Sequence, residues 1–127
     1  MGKYVDGFVL VVPLGKEAEY EKMARMGRDA WMKHGALQYF ECRGDDYTQH
    51  EMGDEKSRSF LEMSDAAADE NVWFSFIVFE SKEHRDEVNA KVMEEMGEAF
   101  KDQTEPFEMP NDMKKMAYGG FSVVVEG

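Results

Sequence analysis

A chain of 127 residues, 43% apolar and 33% charged, is long enough to bury one core and reads as a single domain over residues 1–127. Its net charge of −12 argues against nucleic acid and anionic membranes as partners, because its best basic cluster is only Lys114 and Lys115 and counterion release needs many clustered cations. The single cysteine, Cys42, rules out an intrachain disulfide and fits a reducing compartment, so a cytoplasmic location is expected.

The first element is "KYVDGFVLVV" (Lys3 to Val12), an apolar run that stops at Pro13, where a ladder cannot continue. It is expected to be a strand rather than a leader or a membrane span, since no apolar run approaches ~18 residues. Next, "KEAEYEKMARMGRDAWMKHG" puts Tyr20, Met23, Ala24, Gly27, Trp31 and His34 on one side at helical spacing. The small Ala24 and Gly27 let that helix approach a sheet closely, and Gly35 suits its C-terminal stop. A second strand, "ALQYFECRG" (Ala36 to Gly44), follows. The acidic connection over residues 46–70 has no clear period, though "SFLEMSDAA" within it can form a helical turn. "NVWFSFIVFE" (Asn71 to Glu80) is a third strand, aromatic and β-branched throughout. "ESKEHRDEVNAKVM" begins a second helix with Ser81 as its N-cap and Val88, Val92, Met96 and Ala99 as its buried stripe. A long connection, "GEAFKDQTEPFEMPNDMKKMAY", leads to a last strand at Gly119 to Gly127, where the two glycines suit a bulge or a close backbone approach.

The order β-α-β-β-α-β defines an α+β, ferredoxin-like fold with a four-stranded antiparallel sheet covered by helices on one face. The strands are apolar on both sides. Val72, Phe74, Phe76 and Val78 oppose Trp73, Ile77 and Phe79, and Phe8, Leu10 and Val12 oppose Val5, Val9 and Val11. Phe121, Val123 and Val125 likewise oppose Val124 in the last strand. Such a sheet needs a second cover, and the simplest is the same face of a second copy, giving a homodimer joined sheet to sheet.

"YVDGFVLVVP", "HGALQYFECRGDD", "FSFIVFESKEHRDEVNAKVM" and "MPNDMKKMAYGGF" together resemble the DUF1428 or YbaA-like family of bacterial proteins. The resemblance covers all four strands and both helices. It does not cover the acidic connection between the second and third strands, so nothing is carried over there. It implies a dimeric α/β barrel, an architecture that serves enzymes and non-enzymes alike.

The candidate chemistry sits on the helix side of the sheet. Arg85 and Asn89 lie near the buried stripe of the second helix, where they either stitch the helix to its neighbours or hold an anionic or carbonyl-bearing ligand, with Trp31 and Tyr118 beside them. Asp6 lies inside the first strand and needs a partner such as Arg85. His34, His84 and Asp6 are the candidate proton-handling groups. No metal-ligand spacing and no cofactor motif is present, and Cys42 reads as a small core residue. The expected function is that of a homodimer binding or transforming a small organic molecule between helices and sheet. The alternative is a non-catalytic dimeric structural or regulatory module.

Overall fold

The structure, a computed structural model, describes residues 2–102 and 108–127. Strand β1 (Tyr4–Pro13) runs through a short 3-10 turn (Leu14–Lys16) into helix α1 (Glu17–Lys33), and β2 (Gln38–Arg43) follows. The acidic connection contains a two-residue hairpin, β3 (Glu51–Met52) and β4 (Glu55–Lys56), and then a short helix, α2 (Phe60–Ser64). Strand β5 (Glu70–Phe79), helix α3 (Lys82–Phe100), a 3-10 turn (Met113–Lys115) and β6 (Ala117–Ser122) complete the chain. The main sheet has the order β2-β5-β1-β6, antiparallel throughout. The two long apolar strands are therefore central and the two shorter, more polar ones form the edges. This is the α+β, ferredoxin-like arrangement expected from the element order.

Local chemistry explains where the helices start and stop. Ser59 and Ser81 cap α2 and α3 by accepting hydrogen bonds from the backbone N–H of Glu62 and His84. Helix α1 stops at Gly35, whose φ of +113° is left-handed territory that a side chain would strain. Its buried residues are Tyr20, Ala24, Gly27 and Ala30, one face at helical spacing. Gly27 is where α1 comes closest to the sheet: a Cβ there would stand 2.8 Å from the hydroxyl of Tyr39.

Register then sorts the strand residues by face. Asp6, Phe8, Leu10 and Val12 of β1 lie beside Ile77, Ser75, Trp73 and Asn71 of β5, all toward the helices. The core on this side has two buried clusters, one around Ile77, Phe79, Val88 and Val92, the other around Leu10, Val12, Tyr20 and Trp73. Phe8 packs against both. The opposite face carries Val5, Val9, Phe74, Phe76, Phe40 and Phe121. Val11 and Val72 at one end of it are buried, where α2 packs across β1 and β5, and so is Val78 at the other end.

Several expectations need correction, and of the two roles open to the glycines the structure takes the close approach. The last strand starts at Ala117 and ends at Ser122, where its pairing with β1 ends at Tyr4; one further backbone hydrogen bond, from the Val123 N–H to the Lys3 carbonyl, follows it. Val124 and Val125 are accordingly almost fully exposed. Gly119 and Gly120 form no bulge; they pair regularly with Gly7 and Asp6, and Gly120 serves the close approach of the Tyr4 ring. Cys42 is exposed, since β2 is an edge strand and its even-numbered residues face the uncovered side. Ala99 is exposed too, the α3 stripe being buried only at Val88 and Val92 with Met96 half-buried. The connection expected from Gly97 begins as helix, since α3 continues to Phe100, and its residues 103–107 lie outside the described residues.

Gly27→Val should lower stability by about 1–3 kcal/mol in urea denaturation, because overpacking at the α1–β2 contact outweighs the gain in helix propensity. An unchanged midpoint would mean that the helix has room to move away from Tyr39.

Candidate functional site

The expected site residues meet around Asp6. Its side chain points to the helix layer from the middle of the sheet and is 1% exposed, so its charge must be compensated locally. Arg85, in the first turn of α3, donates from Nη1 to Asp6 Oδ1 at 2.6 Å. Asn89, one turn later, donates to Oδ2 at 3.4 Å while its own Oδ1 accepts from Trp31 Nε1 at 2.9 Å. The same Arg85 nitrogen donates to the Tyr118 hydroxyl at 3.2 Å, its Nε to Asp86 at 2.7 Å, and the guanidinium lies 4.8 Å from the centre of the Tyr4 ring. Burial by itself would lower the pKa of Arg85, but the hydrogen bond to Asp86 and the charge of Asp6 outweigh it, so the group stays firmly protonated. Burial, followed by the charge of Asp6, raises the Tyr118 phenol. Arg85, Asn89, Asp6, Trp31 and Tyr118 thus form one hydrogen-bonded network linking β1, α1, α3 and β6. Both Asp6 oxygens, the Asn89 amide, Trp31 Nε1 and the Nε and Nη1 of Arg85 are engaged within the chain.

The two histidines lie outside that network. His34 caps the end of α1, and its Nε2 stands 3.5 Å from Glu95 Oε2, within reach of its charge but without hydrogen-bond geometry. His84 Nδ1 accepts from the backbone N–H of Glu80, closing the turn that enters α3. Among the described residues, no group of three or more His, Cys, Asp or Glu side chains is gathered as a metal site would need.

A second polar cluster lies at the other side of the helix layer and went unremarked in the sequence. Between α1 and edge strand β2 runs a half-open cleft of about 510 Å³. Tyr39, Glu41 and Arg43 line it from β2, with Trp73 beside them on β5 and Glu17, Glu21, Arg25 and Arg28 above them on α1. Glu41 is central. Its two carboxylate oxygens accept from the hydroxyls of Tyr20 and Tyr39, each at 2.8 Å. Burial raises its pKa, and the hydrogen bonds from Tyr20, Tyr39 and Ser75 only partly offset that. Burial and the adjacent Glu41 push both phenols up as well, so they remain protonated donors. Glu17 Oε2 accepts from Trp73 Nε1 at 2.8 Å. At the rim, Arg25 pairs with Glu21 and Arg28 with Asp29, each at 2.9 Å. Arg43 has no ion-pair partner among the described residues. The signal available in the sequence was the alternation Tyr39, Glu41, Arg43 along a strand whose intervening residues include Phe40.

The fold and these two clusters define an α+β protein with a ferredoxin-like sheet, a buried Asp–Arg network at its centre and a mixed-charge cleft at one edge. The chain belongs to the family described as "Protein of unknown function (DUF1428)", which matches residues 3–109. It is 37% identical over 129 aligned positions to the "Uncharacterized protein YbaA" of Escherichia coli K12, covering 98% of each chain, and equally to that of Shigella flexneri. Among solved structures, the de novo designed protein Foldit4 aligns with 95% of this chain and 98% of its own at 7% identity and a TM-score of 0.46. A Bacillus cereus protein related to NIF3 aligns with all of this chain and 28% of its own, at 17% identity and a TM-score of 0.34. Neither score is high enough to carry an argument.

Two outcomes follow from these clusters. Asp6→Ala should cost about 3–5 kcal/mol in denaturant unfolding by leaving Arg85 buried without its partner, and Asp6→Leu with Arg85→Met should recover much of that loss. Equal stability of Asp6→Ala and the parent would contradict a structural role for the pair. The second outcome concerns pH. A carboxyl whose pKa is raised on folding binds more protons in the native state, so its contribution to stability falls as pH rises from the ordinary carboxylate range through its folded value. Glu70 and Glu95, lowered by hydrogen bonds from Lys115 and Lys33, act in the opposite direction. The difference between parent and Glu41→Gln isolates the term: the parent should lose stability relative to the variant as pH rises through that window, and parallel curves would refute it.

Proposed function

We propose that this protein is a homodimer joined through the open faces of its two sheets, each subunit binding a small organic molecule in the cleft between α1 and β2. One observation supports the reading, the unequal division of charge between the two faces of one sheet. A third of the residues are charged, yet the open face carries a single one at its strand positions, Glu70 at the very start of β5, ion-paired with Lys115; the others are Val5, Gly7, Val9 and Val11 from β1 and Val72, Phe74, Phe76 and Val78 from β5. Edge strands β2 and β6 add Gln38, Phe40 and Cys42, and Ala117, Gly119 and Phe121. This face forms an apolar groove of about 630 Å³, with Phe40, Phe74 and Phe121 at 43%, 44% and 60% exposure. Apolar surface of this extent is what self-association would cover, and a chain with twelve excess negative charges can pair only where those charges are sparse. The ionisable groups are concentrated instead on the helix side, where the cleft offers a half-buried carboxylate and phenol with exposed guanidinium groups at its rim.

In this reading Arg85 and Asn89 hold the fold rather than the ligand, since Asp6, Tyr118 and Trp31 already engage their polar atoms. The parent should elute in light-scattering chromatography at twice its 14.6 kDa, and Phe121→Asp, at a position exposed in the single chain, should elute at 14.6 kDa with unchanged circular dichroism. A monomeric parent would remove the dimer from the proposal. For the cleft, a thermal-shift screen against metabolites should find a compound that raises the melting midpoint of the parent but not of Glu41→Gln.

A further inference from the structure

Donor and acceptor accounting in the α1–β2 cleft restricts what can occupy it. The floor offers acceptors. An ionised carboxylate donates nothing, and Glu41 has about four lone-pair directions, of which Tyr20, Tyr39 and Ser75 use three, leaving one toward the cleft. The Tyr39 phenol has spent its only hydrogen on Glu41, so toward the cleft it too can only accept. Glu17, at the Trp73 end, is a further carboxylate. The rim offers the reverse. Arg28 lies on α1, near enough to Tyr39 for its charge to be felt by the phenol, and Arg43 lies on β2 two residues beyond Glu41. Guanidinium groups donate only. Arg28 shares its charge with Asp29, whereas Arg43 has no ion-pair partner among the described residues.

A purely anionic ligand would fit the rim and be repelled by the floor; a purely cationic one would fit the floor and be repelled by the rim. A neutral apolar ligand would leave both sets of charges desolvated and unpaired. We infer that the cleft takes an ammonium–carboxylate zwitterion of amino-acid size, its ammonium on Glu41 and Tyr39 and its carboxylate on Arg43, two residues further along the same face of β2. Trp73, opposite Arg43 in the β2–β5 register, lines the cleft at that end and offers it apolar surface. The uncommitted guanidinium of Arg43 matches a carboxylate in bidentate geometry.

This inference rests on the proposed binding role of the cleft, and the test separates the two. Isothermal titration of the full-length protein uses the common α-amino acids, ω-amino acids and betaines, and for each binder its N-acetyl and C-terminal amide forms. The expected result is a zwitterion that binds roughly tenfold or more tightly than either of its capped forms. Glu41→Gln and Arg43→Ala should each weaken it by at least roughly tenfold; Arg43 lies on an exposed strand edge, where truncation leaves the fold intact. Capped forms binding as well as the parent compound, or binding unchanged in both variants, would overturn the inference. Should no zwitterion bind while another metabolite in the thermal-shift screen requires Glu41, the zwitterion is wrong and the cleft reading stands. With no binder in either experiment, both fall.

Discussion

Much of this structure depends on a single charge in an unfavourable place. Asp6 sits in the middle of a central strand, facing the helix layer, almost without solvent contact. A carboxylate there is costly unless a cation and hydrogen-bond donors reach it. Only the start of α3 supplies them, so the pair fixes where that helix begins and how it is rotated: Arg85 must point down at the sheet, and Asn89 follows one turn later. Trp31 ties α1 to the same point through Asn89, and Tyr118 ties in the edge strand β6. The Gly120 opposite Asp6 has no side chain, leaving room for Tyr4 and hence for the ring beneath the guanidinium. An apolar replacement of such a pair is often no less stable, so its contribution is to select one packing out of several.

Around this centre the remaining packing is conventional. Small residues on α1 let it lie close to the sheet, β-branched and aromatic residues fill the two apolar clusters, and serines cap the helices. The sheet differs from that of a self-sufficient domain on its other side, where among the described residues the short α2 covers one end. A layer rich in phenylalanine and nearly without charge, behind a layer rich in ion pairs, gives the molecule two chemically opposite surfaces on either side of one sheet.

Much of this was legible in the amino-acid order. Alternating and helical periods gave the four strands, both long helices and their sequence, and the unpaired acid in "YVDGF" pointed to Arg85 as its partner. The Ser81 cap and the helix stop at Gly35 were equally readable, because each depends on one residue and its neighbours. Less legible were features set by which strand lies beside which. Cys42 looked like core because its residue type is usually buried, but an edge strand without a cover leaves it exposed. Val124 and Val125 looked like strand because of their propensity, but no partner strand reaches them. Glu41 escaped notice for the same reason: its significance arises from Tyr20, twenty-one residues earlier, and from a cleft formed only when α1 folds across β2.

Strand β2 carries both surfaces at once. Tyr39, Glu41 and Arg43 face the cleft, while Gln38, Phe40 and Cys42 face the open side. Shifting β2 by one residue against β5 would therefore put the carboxylate among the phenylalanines and a phenylalanine in the cleft. An insertion or deletion within this strand can be tolerated only in steps of two, and length variation in the family should collect instead in the acidic connection that follows. The edge of the sheet behaves like a ratchet with two-residue teeth, free to change its side chains but not its phase.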